Sequence, residues 1–350
     1  MPKRVTIADV ADKAGVSTGT VSAVLNARPT VRHETRQRVL HAIDHLGYLP
    51  SASAQQLGSG GDGAGSFPPT VGIVIKEIDN PFYAEVIKGA GAELTGQGYV
   101  PIICTSGGDF EKEGQVIDSL RGHDVRGVIV APVLDADVDL SHLFLLRRSG
   151  FPFVLLETVP GLKANAVSVD NVAALQNAVQ YLMELGHRRI VHFVGPAYTR
   201  NSLDRRMGFE KAFSQSPLQV SEDAFVSAGS RFEDGHEAGL RHFRGADPAT
   251  RTTAVACFND NVALGLISAL MELGLRVPED VSVVGFDDIP AATQTPWPLT
   301  TVHVPKLEMG KRAVDIILER LGEPPGADPS VITLDFELAI RKTTAPYGAE

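Results

Sequence analysis

Polar side chains stand directly behind apolar runs of this sequence, where they could hold a small molecule. Asn259 follows the run from Ala254 to Phe258, and Asp287 comes shortly after the run from Val281 to Gly285. In open α/β sheets the carboxyl ends of the strands form the edge at which ligands bind. Amide and carboxylate groups at that edge indicate hydrogen bonding to a polar ligand.

The same residue types give little support to catalysis. Asp287 and Asp288 are neighbours on the chain, and neighbouring carboxylates rarely converge on one substrate, which disfavours acid–base chemistry. The Gly-Ala-Gly stretch that begins at Gly89 has Leu94 where a dinucleotide-binding fingerprint requires glycine. The sequence contains no metal-ligand cluster. Its G-x-S-x-G match, from Gly15 to Gly19, lies between two predicted helices and not between the strand and the helix that a nucleophile elbow joins. We therefore expect a protein that is not an enzyme and carries no cofactor.

A second group of hydrogen-bonding side chains lies near the N-terminus, on one side of a short helix. The pattern predicts a helix from Thr18 to Asn26, capped by Ser17, with an inward face of Val21, Val24 and Leu25. Its outward residues are small and polar: Thr18, Thr20, Ser22 and Asn26.

This helix is predicted to be the second of three. The first begins at the capping-box pair Thr6 and Asp9 and ends at Gly15. The third runs from His33 to Leu46 and packs through Val39, Leu40, Ile43 and Leu46. Two short helices joined by a glycine turn, the second with a small polar outer face, are typical of insertion into the major groove of DNA. A generic three-helix bundle is the alternative.

The distribution of charge is compatible with this interpretation. Residues 1–50 contain seven Lys or Arg and four Asp or Glu, a net charge of +3, whereas the whole chain carries −10. A basic module on an acidic body confines the attraction for phosphates to one end of the molecule.

The remaining sequence predicts a linker and a larger α/β body. Residues 51–70 are dominated by Ser, Gly, Ala and Pro, as linkers are. Beyond them short β-branched runs alternate with helical patterns, which indicates parallel sheets covered on both faces. The strand candidates are Val71–Ile75, Val100–Cys104, Gly127–Val130, Phe153–Leu156, Ala166–Val169, Ile190–Val194, Ala254–Phe258 and Val281–Gly285. An interruption near Asp170 favours two doubly wound lobes over one wide sheet.

The N-terminal run VTIADVADKAGVSTGTVSAVLN, followed by TRQRVLHAIDHLGYLPSASAQQL, resembles the headpiece of the LacI/GalR family of transcription regulators. The resemblance continues to about Ala345 through IKEIDNPFYAEVIKGA, FNDNVALGLISAL and VPEDVSVVGFDDIP. It implies an all-α three-helix helix-turn-helix headpiece at 1–50 and a hinge helix and linker at 51–70. It also implies an α/β effector-binding and dimerisation core at 71–350, with two doubly wound parallel-sheet lobes of the periplasmic-binding-protein-like type I. One lobe would contain about 71–166 with 300–325, and the other 167–299 with 326–345.

The resemblance also assigns DNA contacts. The second helix would read base edges in the major groove, while Thr6, Arg32 and Thr35 would contact phosphates. In the hinge, Leu57 would insert into the minor groove. The residues at these positions are Thr6, Ser17, Thr18, Thr20, Ser22, Asn26, Arg32, Thr35, Ala54 and Leu57. Gly19 and Ala23 replace the longer hydrogen-bonding side chains that are usual in the family, so base reading would depend on Thr18 and Ser22.

In the body, the matched positions form an effector cleft. They are Phe82, Tyr83, Glu157, Asn201, Arg205, Asn259 and Asp287. Capping of a helix explains Asn80 as well as ligand contact does. Near Ser230 the family often has an aromatic residue that stacks on the ligand. Either Phe232 substitutes for it from an adjacent position, or a polar or anionic group of the ligand lies there and binds Arg231. Val304 replaces a common polar residue, and Trp297 would either stack on the ligand or pack.

These features predict a cytoplasmic, homodimeric regulator of repressor type that binds palindromic double-stranded operator DNA and no membrane. A sugar or sugar acid is the leading effector and a purine the second. Cys104 and Cys257 lie in apolar runs and are expected to be buried free thiols. A periplasmic binding protein would share the body but would begin with an export signal, and a C-terminal leucine heptad would favour a tetramer. The sequence shows neither feature.

Overall fold

The computed structural model describes residues 5–25, 30–46, 48, 68–123, 125–134, 140–197, 199–322 and 328–348. The chain divides into two compact units, Met1–Pro68 and Pro69–Glu350. We refer to them as the headpiece and the body.

The headpiece contains the three predicted helices: α1 (Ile7–Ala14), α2 (Thr18–Leu25) and α3 (His33–Leu46). The capping box is present, because Thr6 Oγ1 accepts from the backbone N–H of Asp9 while an oxygen of the Asp9 carboxylate accepts from the N–H of Thr6 at 2.7 Å. Gly15 ends α1 at a φ of 64°, a left-handed conformation that glycine adopts without a steric penalty.

The headpiece core differs from the prediction at one position of α3. Val39 and Ala42 are buried, whereas the side chain of Leu40 is 48% exposed. Residues three apart share a helix face, and Leu40 lies about 100° away from Val39 on that helix. The prediction that Leu40 packs inside was therefore wrong.

The body contains two six-stranded sheets within the described residues. The first sheet has strands β1 (Thr70–Ile75), β2 (Val100–Thr105), β3 (Val128–Val130), β4 (Phe153–Leu155), β5 (Asn165–Val169) and β11 (Val331–Leu334). Their order is β11-β5-β4-β3-β1-β2, and all neighbours are parallel. The helices packed on this sheet are α4 (Pro81–Gly96), α5 (Phe110–Gly122), α6 (Ser141–Ser149) and α11 (Lys306–Leu321).

The second sheet has strands β6 (Ile190–Val194), β7 (Phe225–Ser227), β8 (Ala254–Cys257), β9 (Ser282–Asp287), β10 (Thr300–His303) and β12 (Glu337–Ala339). Their order is β12-β10-β9-β8-β6-β7, with only the β10–β12 pair antiparallel. Its helices are α7 (Asn171–Glu184), α8 (Arg200–Ser214), α9 (Phe232–Phe243) and α10 (Asp260–Glu272). The doubly wound α/β body that the sequence predicted is confirmed.

The division of the chain between the two lobes differs from the prediction. Strand β10, at 300–303, pairs with β9 in the second sheet, and β11, at 331–334, pairs with β5 in the first sheet. Residues 167–169 also belong to the first sheet. The chain therefore passes between the lobes near residues 170, 304 and 335, and the predicted limits of 166, 300 and 326 each have to move.

Two helices of the first lobe touch backbone to backbone through glycines. A Cβ atom on Gly89 of α4 would lie 2.1 Å from the carbonyl oxygen of Leu307 in α11. Reciprocally, a Cβ on Gly310 of α11 would lie 2.1 Å from the carbonyl oxygen of Val86. Neither distance is sterically possible, so only glycine permits this close approach.

His192 lies in the interior of the second sheet, fully buried on β6. One ring nitrogen, Nδ1, lies 2.8 Å from the carbonyl oxygen of Ala256 on β8. Burial lowers the pKa of His192 to about 4, since the charged imidazolium would lose its hydration. The neutral ring is therefore the form that the fold accommodates.

We expect acid to destabilise the body partly through His192. In the unfolded chain the histidine pKa is about 6.5, so as the pH falls from 6.5 towards 4 the unfolded state takes up the proton first. This should lower the free energy of unfolding by about 2 kcal/mol between pH 6.5 and 4.5. Urea denaturation of the wild type and of His192→Phe at pH 6.5 and 4.5 gives the change in the free energy of unfolding between the two pH values, which should be smaller in the variant. An equal change in both proteins would contradict the expectation, whatever the stability of the variant at pH 6.5.

Two further sequence features have structural outcomes. Cys257 is buried, as predicted, but Cys104 is only half-buried on the edge strand β2. In the part of the chain that the structure describes, no helix combines the length and the apolar character needed to cross a bilayer.

Candidate functional site

A cleft between the two sheets of the body contains the predicted ligand contacts. It has two adjoining chambers, which share Phe82, Tyr83, Asn201 and Arg205. The central chamber lies beside Asp287 and has about 500 Å³ of empty space, and the inner chamber lies beside Val304 and has about 360 Å³, with open solvent included in both values. All seven residues predicted to contact an effector line the chambers: Phe82, Tyr83, Glu157, Asn201, Arg205, Asn259 and Asp287.

Arg205 is the most extensively bonded side chain of the cleft, and it is 4% exposed. Its Nε donates to Asn171 Oδ1 at 2.9 Å, its Nη1 donates to the carbonyl oxygen of Phe258, and its Nη2 donates to Asp287 Oδ1 at 3.4 Å. The guanidinium carbon lies 3.6 Å from the ring centroid of Phe286. This environment fixes the guanidinium plane, so its remaining N–H donors have a defined direction.

The Arg205–Asp287 pair is electrostatically coupled. Burial lowers the pKa of the Arg205 guanidinium and raises the pKa of the Asp287 carboxyl, and the attraction between the two opposes both shifts. The two charges are therefore tolerated in the cleft as a pair, and removal of either group would leave the other as an uncompensated buried charge.

Asp287 is presented by a strained turn at the end of β9. Its φ is 103° and that of Asp288 is 55°, values that residues other than glycine rarely adopt. Lys306 Nζ donates to the carbonyl oxygens of both residues, and Asp260 Oδ2 accepts from the N–H of Ile289 at 2.8 Å. These buried contacts from α11 and α10 hold the turn, and through it the position of the Asp287 carboxylate.

A second buried ion pair lies on the first-sheet side of the cleft. Lys76, which directly follows β1, donates to Glu157 Oε1. The other oxygen of this carboxylate, Oε2, is buried and has no hydrogen-bond partner among the described residues. A buried acceptor without a donor is costly, so a ligand hydroxyl or N–H group at this point would be favoured.

Two asparagines of the cleft also cap helices. Asn80 accepts from the N–H of Phe82 at 3.1 Å, and Asn259 accepts from the N–H of Val262 at 2.9 Å. Asn259 in addition donates to the carbonyl oxygen of Ser230. Capping therefore accounts for part of the hydrogen-bonding capacity of each side chain, and the remainder is what a ligand could use.

The sequence interpretation missed several polar residues of this region, among them Lys76, Asn171 and Lys306. Lys76 directly follows an apolar run, the same signal that identified Asn259, and could have been found. Asn171 binds both Arg205 and Asn201 Oδ1, a role that only the tertiary structure shows.

In the headpiece, the predicted DNA-contacting residues lie on and around α2. Ser17 accepts from the N–H of Thr20 at 3.2 Å, so it caps α2 as predicted. Ser17, Thr18 and Arg32 are exposed, whereas Thr20, Ser22 and Thr35 are half-buried. Asn26, Ala54 and Leu57 lie outside the described residues.

The buried face of α2 consists of Val21 and Val24, which pack against α1 and α3. The hydroxyl-bearing residues are thereby displayed on a short helix that is braced by two others, which is the geometry of a helix-turn-helix reader.

Comparison with known proteins identifies both units. Residues 6–51 match the model of the bacterial regulatory proteins of the lacI family, and residues 179–344 match a periplasmic binding protein-like domain. The HTH-type transcriptional repressor PurR of Photobacterium profundum is 35% identical over 341 residues, 97% of this chain and 98% of the relative. This chain belongs to the LacI family.

Solved structures agree with this assignment. The transcriptional regulator CelR in complex with cellobiose has a TM-score of 0.69 and 30% identity, and the match covers 97% of this chain and 100% of the other. The lac repressor dimer bound to operator and the anti-inducer ONPF has a TM-score of 0.71 and 25% identity, with 98% and 100% covered. The LacI-family protein described here is thus a DNA-binding transcription regulator and not an enzyme.

The positions at which this LacI-family chain departs from the usual pattern are also placed. Ser230 lines the central chamber, and Phe232 lies outside it, so Phe232 does not simply take over the position of Ser230. Val304 lines the inner chamber. Trp297 is 38% exposed and is absent from the lining of both chambers. The Asp288 carboxylate is bonded to His303 and Arg341.

Proposed function

We propose that this protein is a repressor that binds a palindromic operator as a homodimer, and that a neutral sugar in the cleft controls its affinity for DNA. The observation that carries the choice of ligand is the buried, unpartnered Oε2 of Glu157, a hydrogen-bond acceptor in the lining of the inner chamber. A sugar hydroxyl can donate to this oxygen and accept from the fixed guanidinium of Arg205.

The charges of the cleft favour a neutral sugar over a sugar acid. Lys76 is paired with Glu157, and Arg205 is paired with Asp287. A carboxylate on the ligand would have to compete with a carboxylate of the protein for either cation, and both cations are already buried and bonded. A neutral polyhydroxyl compound needs no such exchange.

A purine is the second candidate. The rings of Phe82 and Tyr83 lie edge to face with their centroids 5.3 Å apart, and both residues line the central and inner chambers. A planar base could pack against such aromatic surfaces. A thermal-shift series with neutral sugars, sugar acids and purines separates these ligand classes, because each bound ligand raises the melting temperature according to its affinity.

The DNA-binding part of the proposal rests on the hydroxyl residues of α2, of which Thr18 is exposed and Thr20 and Ser22 are half-buried. The dimer rests on the similarity to the lac repressor dimer on operator. A ligand that binds two lobe arrangements unequally changes the affinity for DNA by that difference, typically about 1–3 kcal/mol. The sign of the change, release or tighter binding, is read from a titration of operator DNA with and without the ligand.

We expect Thr18→Ala to weaken binding to the cognate operator about 10-fold, since a base-edge hydrogen bond is lost, while binding to random duplex stays unchanged. Fluorescence anisotropy at fixed salt, with an operator selected from a randomised pool, measures both affinities. Gln37→Ala, at an exposed position of α3, is the matched control. If Thr18→Ala lowers both affinities equally, or neither, α2 does not read the bases.

A further inference from the structure

The cleft continues into a third space, which we call the mouth chamber. It has a volume of about 460 Å³ and is lined by residues of both lobes, among them Asp79, Arg231, Phe232 and Glu233. It shares Glu77, Asn80 and Ser230 with the central chamber. The three spaces therefore form one elongated path from the inner chamber to the surface of the body.

The mouth chamber has an aromatic side chain that the fold holds in place. Phe232 is the first residue of α9, and its side chain is 42% exposed. Its ring lies nearly parallel to the imidazole of His236, at an interplanar angle of 11° and a centroid distance of 6.5 Å. Phe232 thus combines a partly exposed aromatic ring with a place in the lining of the mouth chamber.

The backbone around Phe232 is fixed from two sides. The carboxylate of Asp234 accepts from the N–H groups of Ser230 and Arg231 at 3.1 and 3.0 Å. On the other side, a Cβ on Gly265 of α10 would lie 2.0 Å from the carbonyl oxygen of Phe232, so the two helices are in direct backbone contact. An aromatic ring on such a rigid element binds a ligand with little loss of conformational entropy.

The charges of the mouth chamber select against an acidic ligand. Arg231 Nη2 lies 3.6 Å from Asp79 Oδ2 and so bridges the two lobes. With Glu77 and Glu233 the lining has three carboxylates and one guanidinium. Carboxylates accept strong hydrogen bonds from hydroxyl groups and repel anions. A partly exposed aromatic ring beside hydroxyl-accepting groups suits a pyranose ring, which has one apolar C–H face and a rim of hydroxyls.

We propose that the effector is a neutral oligosaccharide of at least two rings, with one ring in the central and inner chambers and the next packed on Phe232 in the mouth chamber. This inference rests on the proposed control by a sugar and adds the length of the ligand and the site of its second ring.

Isothermal titration calorimetry of the full-length protein tests the inference with glucose, cellobiose, maltose and the corresponding trisaccharides. We expect at least one disaccharide to bind 10-fold or more tightly than glucose. Phe232→Ala should remove this advantage and leave the affinity for glucose unchanged, which also shows that the variant is folded. Phe144→Ala, with an exposed aromatic ring on α6, is the matched control and should bind like the wild type.

The outcomes separate the inference from the function on which it rests. Equal affinity for glucose and every longer sugar, or an equal loss of both in Phe232→Ala, overturns the second ring and leaves a sugar effector standing. Binding of purines alone, with no sugar bound, overturns the sugar effector and the second ring together.

Discussion

Replacing Arg205 with methionine is expected to abolish ligand binding and to lower the free energy of unfolding by about 3–5 kcal/mol. The substitution keeps much of the side-chain volume and removes every hydrogen bond of the guanidinium. Asp287, 5% exposed, would remain as a buried carboxylate without its cation. Since burial already raises the pKa of Asp287, loss of the attraction to Arg205 should raise it further.

The neighbouring arginine supplies a matched control. Arg206 forms ion pairs with Glu210 and Glu222 on the surface, and its side chain is 36% exposed. Arg206→Met should therefore cost no more than about 1 kcal/mol and leave ligand binding intact. Urea denaturation and calorimetry of both variants measure the two effects.

A double variant distinguishes loss of a charge pair from loss of packing. In Arg205→Met with Asp287→Asn no uncompensated buried charge remains, so we expect a large part of the stability to return while the ligand stays unbound. If Arg205→Met has the stability and the ligand-induced thermal shift of the wild type, the arginine is not the centre of the site.

Gly89→Ala is expected to lower the free energy of unfolding by about 3 kcal/mol, at the upper end of what overpacking usually costs. The added methyl group would have to occupy space 2.1 Å from the carbonyl oxygen of Leu307, and a backbone atom cannot move aside as a flexible side chain does. The α4–α11 contact would have to open along its length.

Gly96, at the end of the same helix, is the control. No atom lies within 4 Å of a Cβ added there, so Gly96→Ala should raise stability by about 0.4–1 kcal/mol through the lower entropy of the unfolded chain. Urea denaturation of both variants at one pH gives the comparison. Identical changes in the two variants would show that helix propensity, and not the close approach to Leu307, decides the effect.

The sequence predicted much of the fold because its signals are local. The eight predicted strands are all present, and each lies within a few residues of its predicted limits. Continuous apolar runs identify the central strands of a parallel sheet. Four strands of the described residues were missed, and two of them, β11 and β12, are edge strands without a buried residue. Such short segments carry no continuous apolar run.

The candidate cleft was predictable from position, and its internal contacts were not. Residues after apolar strands meet at one edge of a sheet, which is why Asn259 and Asp287 line one chamber. Lys306 donates to the carbonyl oxygens of Asp287 and Asp288 because the tertiary structure places the start of α11 beside that turn. No local pattern encodes which lobe a strand joins. The prediction therefore placed the residues of β10 in the first lobe and those of β11 in the second, the reverse of the structure.

The position of β11 and β12 late in the chain has a consequence for co-translational folding. Residues 331–339 supply one strand to each sheet, β11 beside β5 and β12 beside β10. Until they have emerged, the mostly buried strands β5 and β10 are the edges of their sheets, and their backbone groups can pair with another chain. Neither lobe is completed by a single continuous stretch of chain, so a nascent chain that stalls before residue 331 exposes two such edges at once. Aggregation and recognition by chaperones should therefore be greatest late in synthesis and fall once the more exposed strands β11 and β12 cover these apolar edges.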